Sequence, residues 1–184
     1  MAVTVTPHQF TFVSFDAASI ETLLAGLLDR LGMADRSLRV EINEASPVVR
    51  ISAEDGDPIV LRADSGAFEE PRRPRSLSDD NVVTNAGRVL LRLRDRGDGS
   101  FADAPAEEDL TLAQTAAWDT YSVGRIGRFG YHVHEPRWRY NFRNRHGFSD
   151  AADTTFDRIW GADHLTWAEL SAISDGASAA SVPS

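Results

Sequence analysis

The sequence predicts an α+β fold: an N-terminal β-α-β-β-β sheet with one packed helix, followed by a mostly helical C-terminal half. Three observations carry this reading. Ile20, Leu23, Leu24, Leu27, Leu28 and Leu31 recur at steps of three and four, which makes one apolar stripe on a helix. Short runs that alternate apolar and polar residues follow, the period of half-buried strands. Beyond residue 78 the helical spacing returns and dominates.

Taken in order, His8 to Phe15 is aromatic and β-prone and reads as the first strand. Asp16 is placed to cap the leucine-rich helix, its carboxylate accepting from free amides of the first turn. Gly32 is placed to end that helix in a left-handed conformation. Leu38, Val40 and Ile42 alternate with Arg39, Glu41 and Asn43, and Val49/Ile51 and Ile59/Leu61 repeat the pattern. The turn chemistry of Glu54-Asp55-Gly56-Asp57-Pro58 joins the last two into a hairpin. The prolines of EEPRRPRS, residues 69–76, mark a loop. Ser78 then caps a helix carrying Val82, Ala86, Val89, Leu90 and Leu93, closed near Gly97. GDGSFADAPAEED reads as a linker, and the acids Glu107, Glu108 and Asp109 favour a helix start through the macrodipole. That helix is expected to run towards Gly127 or Gly130. Ser149 opens another, with Ala152, Phe156, Ile159 and Trp160 on one side. Thr166 and Glu169 have capping-box spacing for a last one. The expected organisation is a single globular domain over residues 1–174, with a sheet-containing part about 8–68 and a helical part about 78–174. A flexible tail, 175–184, has nothing to bury.

Composition narrows the chemistry. Cysteine is absent, which removes disulfides, thiolate metal sites and cysteine nucleophiles together. All 19 basic residues are arginine, so neither Schiff-base catalysis nor the lysine of a phosphate-binding P-loop is available. A net charge of -9 argues against unspecific adhesion to nucleic acid or anionic membranes. The opening MAVTVTPHQF has neither a charged n-region nor an apolar h-region, and no apolar run approaches the roughly 20 residues that span a bilayer. The expectation is a cytoplasmic protein without a membrane partner.

Against that acidic background, RWRYNFRNRH at residues 137–146 stands out. Pro136 near its start and Gly147 after its end favour a helix over a strand. Arginine forks match carboxylate and phosphate geometry, and interleaved aromatics can stack on a ligand. Arg137, Trp138, Arg139, Tyr140, Arg143 and Arg145 are therefore the candidate binding residues, for a protein or another anionic ligand. Alternatively these arginines pair with some of the 28 acids and lay their stems over the rings. The one arrangement with the spacing of a metal site is His132-Val133-His134, where residues i and i+2 of an extended segment face the same side. His146, His164, Glu135 or an acid brought in by the fold would complete a set for zinc or another divalent metal, giving His132, His134 and His146 as candidate ligands.

H-E-x-x-H, G-x-S-x-G, P-loop and G-x-G-x-x-G motifs are all missing. The order strand, helix, three strands, helix resembles that of compact zincin metallopeptidases, whose helix after the sheet carries H-E-x-x-H. The corresponding VVTNAGRVLLRLRDR here has no histidine, so the resemblance implies the layout without the peptidase chemistry. No catalytic residue is nominated, and no cofactor beyond that metal. The preferred function is a non-catalytic interaction or regulatory protein with an arginine-aromatic surface. The alternatives are a metal-dependent hydrolase built on the H-x-H pair and a nucleotide or nucleic-acid binder.

Overall fold

A computed structural model describes residues 2–180, with side chains described as far as residue 177. It shows the predicted α+β arrangement, in two compact units, Met1–Leu93 and Arg94–Ser184. The expected mobile segment 175–184 is helical as far as Ala180, and residues 181–184 lie outside the described residues.

The first unit is built on a four-stranded sheet. Its strands are β1 (Val3–Thr6), β2 (Leu38–Asn43), β3 (Ile51–Glu54) and β4 (Ile59–Asp64), in the order β1-β2-β4-β3. β1, β2 and β4 run parallel, and β3 returns antiparallel along the edge of β4. Helix α1 (Ala17–Arg30) makes the crossover between β1 and β2, the long connection that a parallel pair requires. Its stripe of Ile20, Leu24, Leu27 and Leu28 is buried, as are Val5, Leu38, Val40, Ile59 and Leu61 from one face of the sheet. Asp16 Oδ2 accepts from the Ser19 amide at 3.0 Å, which caps α1 as its position predicts. Gly32 adopts φ 69, where a side chain would be strained.

Two expectations fail in this unit. The first strand is the β-branched VTVT at Val3–Thr6, not His8–Phe15. Pro7 interrupts the chain with a residue that has no amide hydrogen to give a ladder. The amides of Thr11 and Phe12 donate instead to one carboxylate oxygen of Glu44, at 2.7 and 2.6 Å. The aromatic run is thus held by a side chain. Residues 69–76, expected as a loop, take part in a small ladder of β5 (Glu69–Glu70) and β6 (Arg73–Leu77). The prolines are tolerated because Pro71 falls between the strands and Pro74 falls in the register shift between the Glu70–Arg73 and Glu69–Leu77 pairs. Ser78 Oγ accepts from the Asn81 amide at 3.2 Å to cap α2 (Asp79–Gly97), as predicted.

The second unit is helical: α3 (Leu112–Arg128), α4 (Glu135–His146), α5 (Asp150–Gly161) and α6 (Trp167–Ala180). The acids 107–109 form only a 3-10 turn, and α3 begins five residues after Glu107, at Leu112. Thr111 and Gln114 cap each other's amides there in a reciprocal box, which satisfies two otherwise orphaned donors. α3 is buried from Ala116 to Ile126, and α4, α5 and α6 all pack against it. The expected linker contributes to this core. Its Phe101 stacks on Trp118 at 5.0 Å, and Trp118 in turn meets Trp167 at 5.3 Å.

An ion pair lies beside that cluster. Asp95 accepts from both terminal nitrogens of Arg125, at 2.8 and 2.6 Å, and from Trp118 Nε1 at 2.9 Å. The guanidinium lies 3.8 Å from the centre of the Tyr121 ring. Both charged residues are buried. The connection from α5 to α6 is pinned as well. The Tyr121 hydroxyl donates to the Asp163 carbonyl at 3.1 Å and accepts from the Leu165 amide at 3.0 Å. Arg128 adds bonds to the Asp163 carboxylate at 2.7 Å and to the carbonyls of Trp160 and Ala162. Among the described residues no helix is long and apolar enough to cross a membrane.

Candidate interaction surface

RWRYNFRNRH is helical, as its flanking residues predict. Pro136 occupies the first turn of α4, and Gly147 ends it at φ 95. The helix divides its residues among three faces, each with its own chemistry.

The inner face carries Trp138, Phe142 and His146, four residues apart, and all three are buried. Trp138, a candidate binding residue by sequence, is 8% exposed and belongs to the core. His146, a candidate metal ligand, stacks on Phe142 with ring centres 3.8 Å apart. Its Nδ1 is 3.2 Å from the Phe142 carbonyl and its Nε2 is 2.9 Å from Ser174 Oγ. A carbonyl only accepts, so Nδ1 carries the proton and Nε2 accepts from the serine. Neither nitrogen is left over for a metal.

Burial holds the His146 imidazole below its ordinary 6.5. The unfolded chain therefore takes up that proton more readily than the folded one. The stability contributed by neutral His146 is complete above about pH 6.5 and is lost as the pH falls below it. The melting temperature is expected to decline on acidification through that range, and to decline less in a His146→Gln variant. Equal slopes for the two proteins would refute this.

The flanking face carries Arg139 and Arg143, and both are occupied by acids of α5. Arg143 forms a fork with Asp153 at 2.7 and 2.5 Å. Arg139 reaches Glu135 at 2.7 Å and Asp157 at 2.5 Å, and lies 4.2 Å from the centre of the Phe156 ring. Hydrogen bonding to Arg143 holds the Asp153 carboxyl below its usual range. Here the arginines join α4 to α5, the arrangement set against ligand binding when only the sequence is read.

The outer face is different. Tyr140 is 60% exposed and Phe148 66%, and their rings meet edge to face with centres 5.9 Å apart. Arg137 and Arg145 are exposed on the same helix, and among the described residues neither has an acidic partner. Phe148 is not singled out by sequence, because it follows Gly147 and falls outside the helical period. Only the turn at that glycine brings it against Tyr140.

His132 and His134 lie in the link between α3 and α4, both exposed. Among the described residues no group of three or more histidine, aspartate or glutamate side chains is arranged to hold a metal ion. No family model matches the chain, and neither the curated proteins nor the solved structures include a match. α2, the helix that follows the sheet, carries no histidine.

Proposed function

We propose that this chain is a non-catalytic interaction protein that binds acidic segments of partner proteins through the outer face of α4. The observation that carries the reading is the exposed Tyr140–Phe148 pair on a helix that also exposes Arg137 and Arg145, neither of them paired with an acid among the described residues. Large rings already held against each other lose little freedom on binding. Aromatic and arginine side chains together dominate the energetics of protein interfaces. The chain's net charge of -9 repels an acidic partner in general, so this cationic patch would also fix where such a partner docks.

A fluorescein-labelled peptide rich in glutamate and aspartate with one central tryptophan is the direct probe, followed by anisotropy at several salt concentrations. Salt-sensitive binding is expected. It should weaken about tenfold or more in Tyr140→Ala/Phe148→Ala and in Arg137→Glu/Arg145→Glu. All four side chains are exposed, so the variants should keep the native melting temperature. Binding unchanged by both double variants would overturn the proposal. So would a single-stranded oligonucleotide that binds more tightly than the peptide, since that would assign the face to nucleic acid.

A further inference from the structure

The carboxyl ends of the parallel strands in the first unit hold a second, unrelated feature. Open sheets of parallel strands present ligands with a crevice at that end, and here a cavity of about 500 Å³ opens there. It is lined by the ends of β1, β2 and β4 and by Arg50 and Ser52 from the edge. Thr6, Glu41, Arg62 and Ser52 form one row across all four strands, and Asn43 and Asp64 pair in the next.

Most of the charge along these rows is already matched. Arg62 binds Glu41 at 3.0 Å and Glu54 at 2.7 Å. Asp64 is the exception. Its residue is only 8% exposed, and Oδ1 accepts from Asn43 Nδ2 at 3.0 Å, which fixes the plane of the carboxylate. Oδ2 is buried and has no hydrogen-bond partner. Its nearest cation is Arg50 Nη1, at 3.7 Å, too far for a hydrogen bond, on a side chain that is 78% exposed. A buried carboxylate oxygen without a donor is an arrangement that folded proteins rarely leave standing.

We infer that this cavity binds a small zwitterion of the amino-acid class, its ammonium on Asp64 and its carboxylate on Arg50. Oδ1 already accepts from Asn43, so Oδ2 is the one carboxylate oxygen here without a hydrogen-bond donor. That suits a compact ammonium better than a vicinal diol, which needs both. Arg50 covers Oδ2 loosely and has solvent in which to swing. An entering ammonium replaces it on Asp64, and the released guanidinium closes on the ligand's carboxylate. Every charge then has a partner, whereas an amine alone would leave Arg50 unmatched and an acid alone would leave Asp64 so. The hydroxyls of Thr6 and Ser52, both exposed on the lining, are available to the ligand's carboxylate. This site is in the first unit and stands whether or not the face of α4 binds a peptide.

The test is ¹H–¹⁵N NMR of the whole chain with the natural L-amino acids added singly, with ethylamine and acetate as half-ligands. At least one amino acid should shift the amides of Asn43, Ser52 and Asp64 to saturation. Asp64→Asn should weaken that binding about tenfold or more, because it removes the charge that the ammonium meets. Arg50→Gln should weaken the amino acid similarly and should not weaken the ethylamine response, since the ammonium then has no guanidinium to displace. Arg50 is exposed, so its variant decides the matter even if Asp64→Asn fails to fold. The inference is overturned if no amino acid moves those amides, if Arg50→Gln binds the amino acid as well as the parent, or if ethylamine binds as tightly as any amino acid.

Discussion

Asp95→Ala is expected to cost about 3–5 kcal/mol, the penalty for stranding a buried charge by removing its partner. Arg125 would lose both oxygens that its terminal nitrogens now hold, and Trp118 Nε1 would lose its acceptor in the same step. Since domains of this size are stable by only about 5–15 kcal/mol, such a loss takes much of the margin. Urea denaturation followed by circular dichroism gives the number. Arg125→Ala should cost a similar amount, and the two losses should not add, because each breaks the same pair. The double replacement Asp95→Leu/Arg125→Met should recover a large part of the loss, since two apolar groups need no pairing. A single-variant cost below about 1 kcal/mol would mean that water reaches the pair, which is incompatible with its burial.

Gly124→Ala carries the second large effect. A methyl group built on Gly124 would lie 2.2 Å from the carbonyl oxygen of Trp160 and 3.0 Å from its carbon. Both obstacles are backbone atoms of α5, so α3 and α5 would have to move apart. Helix propensity works the other way, favouring alanine over glycine by about 1 kcal/mol. Overpacking against a rigid neighbour costs about 3 kcal/mol at the upper end of its usual range, so the clash wins. Gly26 provides the control. It is an exposed residue of α1, and a methyl there meets nothing within 4 Å. Gly26→Ala should therefore stabilise by up to about 1 kcal/mol. Thermal unfolding of the two variants should shift in opposite directions, and a shift of the same sign would contradict the close approach of α3 and α5.

Local chemistry was the legible part of this chain. Asp16, Gly32, Ser78, Ser149 and the Thr166–Glu169 pair mark helix ends through bonds that span three or four residues, and the structure contains each of them. The alternation of β2 and the turn between β3 and β4 were readable for the same reason. Misreadings came where distant groups decide. Glu44 satisfies the amides at 11 and 12 from more than thirty residues away, so an aromatic run that looks like a strand has no need of a ladder. The pairing of Asp95 with Arg125 spans thirty residues and leaves no local trace. On α4 the sequence showed the right segment without its division of labour. Which arginines are occupied depends on Asp153 and Asp157, and those acids face α4 only because α5 packs beside it. Asp64 closes β4, and only the register across the sheet places it beside Asn43.

The pinning of the α5–α6 connection bears on how this protein would be cut. A protease needs several residues of backbone to peel away and extend across its cleft. Between Trp160 and Leu165 the carbonyls of Trp160, Ala162 and Asp163 and the amide of Leu165 are each held by a side chain of α3. Cleavage there requires those bonds to open first, so this surface connection is expected to resist proteases better than an unpinned loop would.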